Sequence, residues 1–192
     1  MTPIISARGG LSSAAYGQFA LSGAANSYES IATVSVGSGG STYLTFTSIP
    51  STYKHLQLRM ITSSANGDTD GYIEYNQDYT SSNYYYHRLF GNGSATGSGA
   101  GASSYIFNGW GTGLTNGFVA TIVDILDYKN TSKYKTTKNL TGFSTNTTGA
   151  GNWIGMHSTL WKNTNAINEI RVRMNSAAFN QYTHAALYGI KD

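Results

Sequence analysis

From Tyr28 onward the chain alternates apolar and polar positions with a period of two, the spacing of a strand with one buried face. The clearest run is Lys54–Ile61, with Leu56, Leu58 and Met60 on one side and His55, Gln57 and Arg59 on the other. Asn168–Asn175 repeats the pattern, placing Ile170, Val172 and Met174 toward a core and Glu169, Arg171 and Arg173 toward solvent. Shorter alternations cover Ser30–Val36 and Thr42–Thr47, and further strands are expected over Gly71–Asn76, Tyr84–Phe90, Val119–Leu126, Tyr134–Phe143, Trp153–Trp161 and Ala185–Ile190. Val119–Leu126 and Ala185–Ile190 are apolar on both faces, as in a central strand or one whose outer face meets a neighbouring subunit. The β-branched residues of 119–126 argue against a short helix there. Gly37-Ser38-Gly39-Gly40 breaks the chain like a hairpin, and Pro50 turns it because proline has no donor for a ladder. Short strands joined by Gly, Asn and Ser turns predict an all-β fold, an antiparallel β-sandwich of jelly-roll type.

Two stretches depart from the alternation. Residues 1–27 are rich in Gly, Ala and Ser with isolated apolar residues and no sustained period, so they cannot build a core. They are expected to form an extended N-terminal arm ahead of a sandwich domain over 28–192, with Ile4, Ile5, Arg8, Gly9, Gly10, Tyr16 and Phe19 as candidate anchoring residues. The second stretch, Gly91–Ser104, is low in complexity and reads as a long loop or mobile insertion.

Composition narrows the function. Charged residues are 11% of the 192-residue chain, well under the roughly 25% of an average soluble domain, while Gly (23) and Tyr (15) are abundant. The net charge of +3 is spread over 12 cations without a Lys/Arg cluster, so no nucleic-acid partner is expected. No apolar run is long enough for a membrane span, and no export signal is recognisable, so synthesis in a cytoplasm without membrane insertion is expected. The absence of Cys excludes a disulfide framework and Cys-ligated zinc. Ser, Thr, Asn and Tyr surfaces form subunit contacts without the cost of burying ions, which points to a symmetric homo-oligomer and equally fits a carbohydrate-binding module.

Catalytic and cofactor motifs fare poorly. Asp68-Thr69-Asp70-Gly71 has the acidic spacing of a calcium loop but lacks its closing Glu, and an Asx-rich turn explains it more simply. Gly97-Ser98-Gly99-Ala100-Gly101 imitates a dinucleotide fingerprint without the strand–helix context that motif needs. His55, His87, His157 and His184 lie far apart, and Asp124 and Asp127 would point to opposite faces of a strand, so both are expected to cap or pin the turn at Tyr128-Lys129-Asn130. The Asn-x-Ser/Thr triplets occur about as often as chance allows. The expectation is therefore no catalytic residue, no metal and no cofactor. The aromatic run Tyr84, Tyr85, Tyr86 and His87 is the candidate surface for stacking on a sugar ring, set against a plain reading in which alternate rings pack inward. Leu187, Tyr188 and Ile190 are the candidate oligomer contact.

Five strings carry a resemblance. Ser27–Gly40 with Ile49–Arg59 (IPSTYKHLQLR), Val123–Thr136 (VDILDYKNTSKYKT), and Leu160–Ile167 (LWKNTNAI) with Ala186–Lys191 (ALYGIK) resemble a domain of virion proteins of tailed bacteriophages, notably those of cyanobacteria and marine bacteria. The likeness runs from about Ser27 to Asp192 and is weakest over 66–117. It implies a non-enzymatic structural protein on the virion surface, a homotrimer attached to other virion proteins through its arm. A small tail fibre or tail-associated knob touching host surface polysaccharide is the first expectation. A capsid decoration protein is the second, and a polysaccharide-binding or hydrolysing module the third.

Overall fold

A computed structural model describes residues 27–191 except 66–68, 81, 104–105, 112–115 and 145–151. The candidate arm residues Ile4, Ile5, Arg8, Gly9, Gly10, Tyr16 and Phe19 lie outside the described residues, as does Asp68 of the acidic turn. Every strand pairing is antiparallel. The strands are β1 (Tyr28–Ser35), β2 (Tyr43–Phe46), β3 (His55–Thr62), β4 (Thr69–Tyr75), β5 (Tyr84–Gly91), β6 (Thr96–Ser103), β7 (Ile106–Gly111), β8 (Val119–Leu126), β9 (Lys135–Phe143), β10 (Trp153–Trp161), β11 (Ile170–Met174) and β12 (His184–Ile190). They form an eight-stranded sheet, β1-β12-β3-β8-β9-β10-β5-β6, and a four-stranded sheet, β2-β11-β4-β7.

The order is that of a jelly roll with two additions. Setting β5, β6, β9 and β10 aside leaves β1-β12-β3-β8 facing β2-β11-β4-β7, the two four-stranded sheets of a doubly wound Greek key. The β5–β6 hairpin is inserted between β4 and β7, and the β9–β10 hairpin between β8 and β11. Both hairpins join the same sheet beyond β8, doubling its width into a flap.

Alternation built the central strands as expected. Leu56, Leu58 and Met60 of β3, Val123 and Ile125 of β8, and Ile170, Val172 and Met174 of β11 lie in one core with Leu44, Phe46, Ile73 and Leu187. Residues 119–126 form a strand and not a helix. Asp127 holds the turn after β8: its φ is 48°, its carboxylate meets Lys133 and Lys54, and its amide donates to His55 Nδ1 at 2.9 Å. The Lys133 contact is the main cause that keeps its carboxyl below the usual range.

Residues 91–104 overturn the loop expectation. Asn92–Ala95 makes a tight connection, with Asn92 Oδ1 accepting from the amides of Ser94 and Ala95, and β6 follows. The alternation is present but written in small residues, with Gly97, Gly99 and Gly101 on one face and Ser98, Ala100 and Ala102 on the other. Glycine on the first face leaves room for side chains of β5 that lie across it. A Cβ at Gly97 would sit 2.6 Å from the Phe90 ring, and one at Gly101 3.1 Å from the Tyr86 hydroxyl.

Candidate interaction surface

The flap mixes polar and aromatic side chains on its inward side, where Tyr84, Trp153 and Trp161 are buried. The inward positions of β9 and β10 include Lys135, Thr137, Asn139, Thr141, His157 and Thr159, all buried. Three of these groups are bonded inside: Thr121 Oγ1 donates to Thr141 Oγ1 at 2.8 Å, the Tyr75 and Thr137 hydroxyls meet at 2.8 Å, and Lys135 Nζ donates to the carbonyls of Lys133 and Thr164 at 3.0 Å. Burial pushes the Lys135 ammonium down, and burial followed by the Arg88 guanidinium holds His157 down at about 4.

Large apolar side chains also stand on the outward side. Cross-strand register aligns Ile122, Leu140, Met156 and Leu89 in a single row over β8, β9, β10 and β5. Their exposures are 41%, 52%, 56% and 62%, and Ile154 (61%) and Ile61 (50%) stand in the next row. With strands about 4.8 Å apart, the row runs for roughly 15 Å. Monomeric proteins rarely expose a contiguous apolar patch larger than a few hundred Å². Burial normally drives such side chains inward, and here four of them stand outward in one row.

Beneath that row lies a polar one, Gln57, Asp124, Lys138, Ser158 and His87, again in direct register. Gln57 Nε2 donates to Asp124 Oδ1 at 2.7 Å. Ser158 stands between Lys138 and His87, but no hydrogen bond joins it to either, and the surrounding strands are paired on both sides. The row therefore shows neither an activated hydroxyl nor a free pair of amides for an oxyanion. Among the described residues no group of three or more His, Asp or Glu could hold a metal ion.

The structure divides the sequence-derived candidates. Tyr84 is a correction: it is fully buried, its hydroxyl accepting from the Tyr75 amide at 3.1 Å and donating to the Asp78 carbonyl at 3.2 Å, so it cannot stack on a ligand. Its ring packs with Tyr75 and Trp161, whose Nε1 donates to Asp78 Oδ2 at 2.8 Å. Burial pushes the Asp78 carboxyl up, but hydrogen bonds from Thr80, Trp161 and Asn83 outweigh it and hold it low. Tyr86 is half-buried over Gly101, while Tyr85 and His87 are exposed on the outer face, with Lys162 Nζ 5.9 Å from the Tyr85 ring centre. Leu187 is the second correction, since it is fully buried in the core and offers nothing to a partner. Tyr188 and Ile190 are half-buried on the outer side of β12, where Tyr188 and Tyr28 flank Arg59 at 5.6 and 5.8 Å.

Comparison with protein-family models, curated proteins and solved structures gives no match for this chain.

One cluster has no counterpart among the sequence candidates. Glu74, 1% exposed, accepts from Arg171 Nε at 3.0 Å and Arg173 Nε at 2.6 Å on the four-stranded sheet. Arg171 lies between Tyr43 and Tyr79 at 4.4 and 4.8 Å, and Arg173 over Tyr72 at 4.7 Å. The alternation of β11 signalled outward arginines, but nothing local signalled the buried carboxylate that fixes them.

Proposed function

We propose that the chain is a non-enzymatic structural component of the surface of a bacteriophage particle, a small tail-associated knob that its N-terminal segment anchors to other particle proteins. The observation that carries this reading is the outward apolar row Ile122–Leu140–Met156–Leu89, which crosses two strands, β9 and β10, that bury polar side chains on their inward side. A protein built this way works by contact. The charge-poor composition supports the same conclusion, because contacts through hydroxyls, amides and apolar side chains avoid desolvating ions. So does the likeness of Ser27–Gly40, Val123–Thr136 and Ala186–Lys191 to virion proteins of tailed phages.

The test is a reconstruction of particles produced with the chain present and with residues 1–24 deleted. The expected result is density for the knob on the tail with the full chain, and its loss, with a still-folded free domain, after deletion. Knob density on the head would replace the tail location by capsid decoration. Normal incorporation of the truncated chain would overturn the anchoring role. Release of sugar from host envelope fragments would overturn the non-enzymatic reading.

A further inference from the structure

We infer that the outer face of the β8–β9–β10–β5–β6 flap is covered by a second copy of this chain. The inference rests on the reading of this face as a contact surface and adds the identity of its occupant.

Area is the first argument. The half-exposed side chains of Ile122, Leu140, Ile154, Met156 and Leu89, with the small residues between them, present on the order of 600 Å². A stable interface of ordinary size takes about 800 Å² from each partner. The apolar row is thus the right size for the centre of such an interface, with the polar row below it as a rim.

Shape is the second. Leu89 and Met156 form a ridge shared by two shallow grooves of about 580 and 660 Å³. The grooves exist because β6 offers only Thr96, Ser98 and Ala100 beside that ridge. With ridge and grooves side by side on one face, a copy related by a two-fold axis can seat its ridge in a groove of the other. Register gives the third argument: Asp124 and Lys138 are direct cross-strand neighbours, so an opposed copy finds both signs on the same rim. A polyanionic partner would meet Asp124 there. A sugar would meet aliphatic side chains along the ridge, the exposed ring of Tyr85 lying off it.

Sedimentation of the full-length chain at micromolar concentrations tests this, using wild type, Leu89→Asp, Met156→Asp, and Tyr182→Asp as a control at a residue 73% exposed away from the row. The expected result is a wild-type oligomer that either row substitution weakens by at least about tenfold while the control leaves it intact. Mixing Met156→Asp with Met156→Lys copies should restore association through opposite charges at the contact. Because these side chains point out of the core, thermal unfolding of each variant should match wild type once both are monomeric. A monomeric wild type, or an oligomer indifferent to both row substitutions, overturns the inference. A monomer that still joins particles overturns the inference alone. An oligomer that depends on the row but never joins particles overturns the proposed function alone.

Discussion

Gly189 of β12 faces the ring of Tyr53, and adding one methyl group there is a sharp test of the packing. A Cβ at Gly189 would stand 2.2–2.4 Å from three atoms of that ring. Carbon atoms pack best at about 3.5–4.0 Å, so the ring must retreat by more than about 1 Å. It has little room. Tyr53 is buried in the core, and its hydroxyl donates to Glu29 Oε2 at 3.0 Å, a carboxylate that also meets Lys191. Overpacking of this kind costs about 1–3 kcal/mol, and displacing the Tyr53–Glu29 bond adds about 1 kcal/mol. Against this, alanine is favoured over glycine within a strand by under about 1 kcal/mol. Gly189→Ala should therefore lose about 2–3 kcal/mol in urea unfolding, and lower Tm by roughly 4–12 °C. Gly37→Ala is the control, since nothing lies within 4 Å of its Cβ position, and it should stay within about 0.5 kcal/mol of wild type. In a Tyr53→Ala background the Gly189→Ala cost should largely vanish, giving a coupling of about 2 kcal/mol. A full, undiminished cost in that background, or no cost in the wild type, would refute the reasoning.

Three further outcomes follow from the same structure. Glu74→Ala removes the shared acceptor of Arg171 and Arg173, and should cost about 3 kcal/mol in chemical unfolding, because two guanidinium groups lose the carboxylate that compensates them. His157 is held down at about 4 in the fold, whereas the unfolded chain takes up its proton near 6.5. Its contribution is therefore complete above pH 6.5 and is lost as pH falls from 6.5 toward 4, by up to about 3 kcal/mol, so His157→Gln should flatten stability-against-pH measurements across that window. Gly97→Val drives a branched side chain into the Phe90 ring and should destabilise the β5–β6 hairpin by about 1–3 kcal/mol, visible as earlier exchange of the β5 amides.

Much of the fold was legible because β3 and β11 each point one apolar set to the core, and a period of two reveals that directly in Leu56/Leu58/Met60 and Ile170/Val172/Met174. β6 was not, because its alternation is Gly against Ser and Ala, which a hydrophobicity pattern does not register; only the size of the neighbouring β5 side chains gives it meaning. The place of Tyr84 was not legible because a run of three tyrosines does not say which set faces inward. Leu187 failed for a related reason, since β12 is apolar on both faces. The contact row was the hardest to see. Ile122 hinted at it through a two-faced strand, but Leu140, Met156 and Leu89 are single apolar residues on separate strands, and only register brings them together. β9 and β10 also carry polar residues inward, the reverse of the pattern that sequence reasoning assumes.

The most direct measurement uses the fact that the chain contains no cysteine. Met156→Cys places a single thiol on the ridge, and a short bis-maleimide joins only thiols held within its reach. The account predicts rapid formation of a covalent pair of chains from Met156→Cys at micromolar concentration, and little from Tyr182→Cys under the same conditions. Equal, slow cross-linking of both variants would contradict it, because it would leave the outward apolar face of the flap without a partner of its own kind.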